Sequence, residues 1–162
     1  MSTIKVTAEP GTPFIDTERA FDAPRELLFR AFTEPTLVQQ WLGPRKYRME
    51  IEAYEARDGG RWRYTHSDDT ASHGFHGVFH GEPSLEDGIT QTFEYEGYPG
   101  HVALEHVDFV EQDGRTLVRG RSVYQSVEDR DGMIQSGMNE GMEDAYARLD
   151  ELIAREGAPV AG

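Results

Sequence analysis

The chain has 162 residues, 37% of them apolar, with 30 acidic against 16 basic side chains, a formal net charge of −14 and no cysteine. That length and apolar share suit one domain with its own core, and the missing cysteines exclude disulfides, thiolate nucleophiles and zinc–cysteine sites. So acidic a chain repels a phosphate backbone, no run of about eighteen apolar residues offers a membrane span, and the opening MSTIKVTAEPGTPF has no apolar signal core.

A cytoplasmic protein without a nucleic-acid partner is therefore expected. The densest basic cluster (Arg45, Lys46, Arg48, Arg57, Arg61, Arg63) is interleaved with Glu50, Glu52 and Glu55, which suits the polar face of a hairpin.

In chain order, residues 1–13 carry Pro10 and Gly11 and few large apolar groups, and read as a loosely held arm. Phe14 to Phe21 is short and β-competent. Asp22 is placed as an N-cap and Pro24 in the first turn of a helix over about 24–33, with Leu27, Leu28, Ala31 and Phe32 on one side. A second short helix over 35–41 carries Leu37, Val38 and Trp41, and Gly43-Pro44 breaks it. From Tyr47 the period drops to two: Tyr47, Met49, Ile51 and Ala53 alternate with Arg48, Glu50, Glu52 and Tyr54. After the Asp58-Gly59-Gly60 turn, Trp62, Tyr64 and His66 oppose Arg61, Arg63 and Thr65. Four further strands over 73–82, 89–96, 101–111 and 115–125 are separated by polar glycine turns, an antiparallel meander.

Residues 136–156 then form the long helix, roughly 30 Å of it at 1.5 Å per residue. Met138, Met142, Ala145, Tyr146, Leu149, Leu152 and Ile153 lie on one stripe. Gly157 stops the helix and Pro159 prevents continuation. The C-terminal half of the stripe offers Leu149, Leu152 and Ile153. The N-terminal half offers flexible Met138 and Met142 beside Gly137 and Gly141. Two readings follow: an ordinary core helix, or one sealed at its C-terminal end and loosely packed over a cavity at the other. The fold class is α+β, an antiparallel sheet of about seven strands burying the long helix.

The inward candidates are rich in aromatics: Trp41, Trp62, Tyr64, Phe75, Phe79, Phe93 and Tyr95. With Met49, Met138, Met142 and Tyr146 they either line a large apolar cavity or fill a solid core. His73, His76 and His80 suggest a metal, but on a strand His73 and His76 diverge, only His76 and His80 align, and no carboxylate completes a set. No metal and no cofactor are expected. Serine elbows, phosphate-cradling glycine loops and His-Glu-x-x-His are all missing. Glu94, Glu105, His101 and His106 are the acid–base candidates, with Glu94 assigned by alternation to the solvent side.

Phe21-Asp22-Ala23-Pro24-Arg25-Glu26-Leu27-Leu28-Phe29, Trp41-Leu42-Gly43-Pro44, Gly59-Gly60-Arg61-Trp62 and Ser136-Gly137-Met138-Asn139-Glu140-Gly141-Met142, in this order and spacing, resemble the START-like, helix-grip superfamily (SRPBCC), in the branch of homologues of the heat-shock-protein-90 ATPase activator. The likeness runs from about Phe14 to Glu156. Leu42 stands where an aromatic often follows the tryptophan, and Asp58 where proline is frequent. The resemblance implies one β-α-α-β6-α domain over 14–157, a tail at 158–162, and a deep pocket between a curved sheet and the C-terminal helix. Such domains typically bind apolar small molecules; some relatives are polyketide cyclases or aromatases, others ligand sensors or chaperone partners. No catalytic set is shared, so no catalytic residue is assigned, and whether a reaction is catalysed stays open. Binding of a lipid- or polyketide-like ligand is the first expectation. A cyclase-like enzyme is second and a chaperone ATPase-activating partner third. Pairing of two copies is left open.

Overall fold

The computed structural model describes residues 3–157. Its strands are β1 (Lys5–Thr7), β2 (Phe14–Phe21), β3 (Arg48–Tyr54), β4 (Arg61–Ser67), β5 (Ser72–Val78), β6 (Ile89–Tyr95), β7 (Val102–Gln112) and β8 (Arg115–Val123). Its helices are α1 (Arg25–Thr33), α2 (Pro35–Trp41), α3 (Val127–Gln135) and α4 (Met138–Glu156). The strands form one antiparallel sheet in the order β1-β2-β8-β7-β6-β5-β4-β3. From β3 to β8 this is the expected meander, and β2 closes onto β8 through eight residue pairs from Phe14↔Val123 to Phe21↔Thr116.

Pairing register and alternation fix which side chains face the helices. Trp62, Tyr64 and His66 of β4 are buried while Arg61 is exposed, and opposite them stand Gly77, Phe75 and His73 of β5. Phe75 pairs with Tyr95 on β6, and Phe93 with Ala103 on β7. On β7 the same face carries Glu105, Val107 and Phe109, with Phe109 in the core and Val107 partly buried against it. Leu28, Ala31, Leu149 and Leu152 are fully enclosed between the sheet and the helices, and this apolar burial is the main force holding the layers together.

Four sequence expectations are corrected. The arm contributes a strand: β1 pairs with β2 at Lys5↔Glu18 through Thr7↔Asp16, so the sheet has eight strands. Asp22 does not cap α1; the N-cap position is Pro24, with no side-chain cap bond, and exposed Asp22 instead accepts from Arg115 Nε at 2.5 Å. Residues 73–82 do not form one strand: β5 ends at Val78, and Phe79 makes only an isolated bridge to Gln91. The long helix begins at Met138, because Gly137 adopts φ 89° and ends the preceding, unforeseen helix α3. That left-handed conformation suits glycine. Residues 158–162, with the proposed stop at Pro159, lie outside the described residues.

Candidate functional site

A cavity of about 1660 Å³ opens beneath α3 and the N-terminal turns of α4. Its sheet wall is built by Phe75, Phe93, Tyr95 and Ala103, positioned by the β5–β6 and β6–β7 registers. The 44–47 loop borders the space too, its Tyr47 ring 5.6 Å from that of His73, and Tyr124 lines it just past β8. On α4, Gly137, Glu140, Gly141 and Asp144 border the space, whereas Leu149 and Leu152 one to two turns further on are fully buried. Small residues on the first turns of α4 leave room there; branched ones close the far end.

The sequence-derived cavity residues fall into three sets. Phe75, Phe93 and Tyr95 line the cavity. Trp41, Met49, Trp62, Tyr64, Phe79 and Tyr146 are packed in the core. Met138 and Met142 on α4 are partly buried, Met142 against that core. Trp62 and Tyr64 extend the wall sideways on the neighbouring strand β4: their rings stack at 5.0 Å, with Trp62 5.9 Å from Phe93 and Tyr64 5.5 Å from Phe75. Trp41 is fixed by its indole N–H donating to the Ala31 carbonyl at 2.9 Å.

The alternation argument missed residues 44–46, the β6–β7 turn and α3, because none of them shows an apolar period; it set Tyr47 on the side of Met49 and Ile51 without assigning it to the cavity. One signal was present: Ser126 stands three residues before Asp129 and caps α3, its hydroxyl accepting from the Asp129 amide at 3.0 Å.

The mouth is tied across by polar contacts. Tyr98, 56% exposed, stacks on His101 at 3.6 Å, and His101 Nδ1 lies 3.0 Å from both carboxylate oxygens of Asp129 on α3. Deeper, the Tyr95 hydroxyl and His73 Nδ1 are 2.8 Å apart. His66, 8% exposed, has its ring 6.3 Å from Tyr47 and 5.3 Å from Phe75. Burial above all, then the charges of Arg148 and His73, pulls its pKa down to about 4. Its Nε2, like Trp62 Nε1, has no hydrogen-bond partner among the described residues.

Glu105 is a carboxylate on the sheet's inner face, two residues beyond Ala103 of the cavity wall and outside the lining itself. It follows Ala103 on the same face of β7; its oxygens accept from Gln91 Nε2 at 3.1 Å and Ser122 Oγ at 3.4 Å. It forms no ion pair among the described residues, and burial pushes its pKa up. Burial first, then the Glu105 charge, raises the hydroxyls of Tyr54, Tyr64 and Tyr124. Burial raises that of Tyr146 to about 12.

Of the other acid–base candidates, His101 stands at the mouth, and Glu94 and His106 belong to outer-face networks. His76 sits 3.2 Å from Glu94 and 2.9 Å from Glu96, and Arg63 clamps Glu96 with two bonds of 2.8 Å. Arg63 first, then His76, draws the Glu96 carboxyl down to about 2. His106 lies between Thr90 Oγ1 at 2.7 Å and Asp108 Oδ1 at 2.8 Å, with Asp108 in turn 3.4 Å from Arg119. Among the described residues no cluster of three or more histidines and carboxylates is arranged to hold a metal ion.

The family described as Activator of Hsp90 ATPase homolog 1-like protein matches residues 22–154. The chain belongs to that family. Like the sequence motifs, the fold places this family member in the START-like, helix-grip superfamily. A crystal structure of a Rhodobacter sphaeroides protein is 25% identical, superposes with a TM-score of 0.85 and covers 94% of this chain and 99% of its own. A solution structure from Arthrobacter aurescens (21% identical, TM-score 0.83, 96% and 92% covered) and a crystal structure of Ms6760 from Mycobacterium smegmatis (19%, 0.83, 94% and 97%) share the fold. No protein of curated function matches the sequence. No helix among the described residues is long and apolar enough to cross a membrane.

Proposed function

We propose that this family member is a small-molecule-binding protein holding an apolar or aromatic, lipid- or polyketide-like ligand between β5–β7 and the α3–α4 layer. The observation that carries this reading is the cavity of about 1660 Å³ walled by Tyr47, Phe75, Phe93, Tyr95 and Tyr124. Ligand sites combine a concave apolar surface with a few convergent polar groups, and here the Tyr95–His73 pair and the Tyr124 hydroxyl are such groups. Trp41, Met49, Trp62, Tyr64, Phe79 and Tyr146 form the packed core beside the wall, and Met138 and Met142 lie on α4. Thermal unfolding against a panel of apolar and aromatic compounds tests the reading. A ligand at a hundred times its dissociation constant adds about 2.7 kcal/mol, or roughly 5–10 °C for a domain of this size. No shift across the panel, with no compound carried through purification, would sink it.

A cyclase-like enzyme is the second reading, favoured by Glu105. A carboxyl raised by burial, two residues beyond Ala103 of the wall, is the group on which such proton transfer would draw. The test is turnover of whichever compound binds: product formation that persists unchanged in Glu105→Gln removes this carboxyl from any chemistry.

A further inference from the structure

The walls of the cavity differ in charge as well as polarity. Five carboxylates border it, Glu128, Asp129, Asp131, Glu140 and Asp144, against two cationic side chains, Arg45 and Lys46. The two cations are already engaged. Arg45 pairs with Asp144 at 3.4 Å and with Glu151 at 2.8 Å, and Lys46 Nζ lies 5.0 Å over the Tyr47 ring. Asp129 faces His101 and Asp131 faces Arg130. Glu128 and Glu140 form no ion pair among the described residues, and deeper in the fold Glu105 is likewise without a cation. Tyr47, Phe75, Phe93, Tyr95, Tyr98 and Tyr124 also line the space, and the faces of such rings attract cations. An anion entering here would meet like charges focused by a chain of net charge −14.

We infer that the ligand of this cavity carries a positive charge, an amine or quaternary ammonium joined to an aromatic or aliphatic body, in preference to the same body bearing a carboxylate. This inference rests on the reading of the cavity as a binding site. Glu128 and Glu140 would neutralise the head group at the mouth, the tyrosine and phenylalanine faces would surround it, and the body would occupy the apolar interior.

Three probes with one skeleton separate charge from shape: phenylbutyl-trimethylammonium, phenylbutanol and phenylbutyrate. Their affinities for the full chain are measured by calorimetry at low and at physiological ionic strength. The expected order is ammonium, alcohol, carboxylate, with about a tenfold or greater gap between first and last at physiological salt, and with phenylbutanol displacing the ammonium compound. The double variant Glu128→Gln/Glu140→Gln is expected to narrow the gap between ammonium and alcohol several-fold. Phenylbutanol binding as tightly as the ammonium compound, or phenylbutyrate tighter than both, overturns the charge inference and leaves the cavity reading intact. Ammonium binding that phenylbutanol cannot displace is surface adsorption and also overturns the inference. Binding by none of the three overturns the cavity reading together with the inference.

Discussion

At His66 the ring lies against Gly43: a Cβ added to Gly43 would come within 2.5 Å of His66 Cε1, and Gly43 has φ 93°. Gly43→Ala therefore combines a clash with a left-handed backbone that disfavours side chains, and is expected to lose about 1–3 kcal/mol in urea unfolding. The Gly43-Pro44 break was readable from the sequence. The reason only glycine fits was not, since it depends on a ring brought in by β4. His66 also gives the chain a pH dependence. Its folded pKa of about 4 lies below the ordinary 6.5, so the unfolded state takes up the proton first as pH falls. The associated stability is complete above pH 6.5 and drains away toward pH 4, by on the order of 3 kcal/mol at most. Urea midpoints measured between pH 7 and 4 should show this slope in the wild type and a shallower one in His66→Gln; an NMR titration of His66 centred near 6.5 would contradict it. Glu105 has the opposite sign. Its raised pKa means stability declines as pH climbs past the ordinary carboxylate value of 4.5, so Glu105→Gln is expected to unfold no more easily than wild type at pH 7.

Among the elements, α3 was the least legible and is the most exposed to a single change. VEDRDGMIQ has no apolar period, and its one buried side chain is a charged one, Arg130, 3% exposed. Arg130 donates to the Glu9 carbonyl at 2.8 Å, to the Phe14 carbonyl at 3.3 Å and to Asp131 at 2.7 Å, joining α3 to the N-terminal strands through one guanidinium. Arg130→Ala leaves those carbonyls unmatched and should cost about 1–3 kcal/mol. Amide hydrogen exchange is expected to quicken across 127–135 with little change on β7 and β8, and unaltered exchange in α3 would contradict this account of its attachment. β1 was hidden for another reason: three residues are too few to display a period of two. The longer elements were legible because burial repeats along them, as in α2 and β4.

On the scale of the whole molecule, sheet and long helix are fastened by Arg19 of β2 and Asp150 of α4, a bidentate pair at 2.7 and 2.6 Å with Arg19 only 5% exposed. Asp150→Ala strands that guanidinium beneath the helix and is expected to cost about 3 kcal/mol, reduced where solvent reaches the half-exposed carboxylate. A double-mutant cycle with Arg19→Met should recover much of the loss. No sequence periodicity announces such a pair. Alternation did bring Phe75, Phe93 and Tyr95 to one wall, but it could not separate residues that touch the cavity from Trp62 and Tyr64 one strand to the side, since both sets face inward. It set Tyr47 on the inward side without assigning it to the cavity, and it did not single out Tyr124 or α3, whose positions depend on how the chain closes over the sheet. The most direct test of the central claim is amide and methyl chemical-shift mapping of the labelled protein at saturation with a neutral apolar aromatic compound. Perturbations confined to Tyr47, Phe75, Phe93, Ala103 and Met133 are predicted; an unperturbed spectrum, or shifts centred on His106 and Asp108 of the outer face, would contradict a binding cavity here.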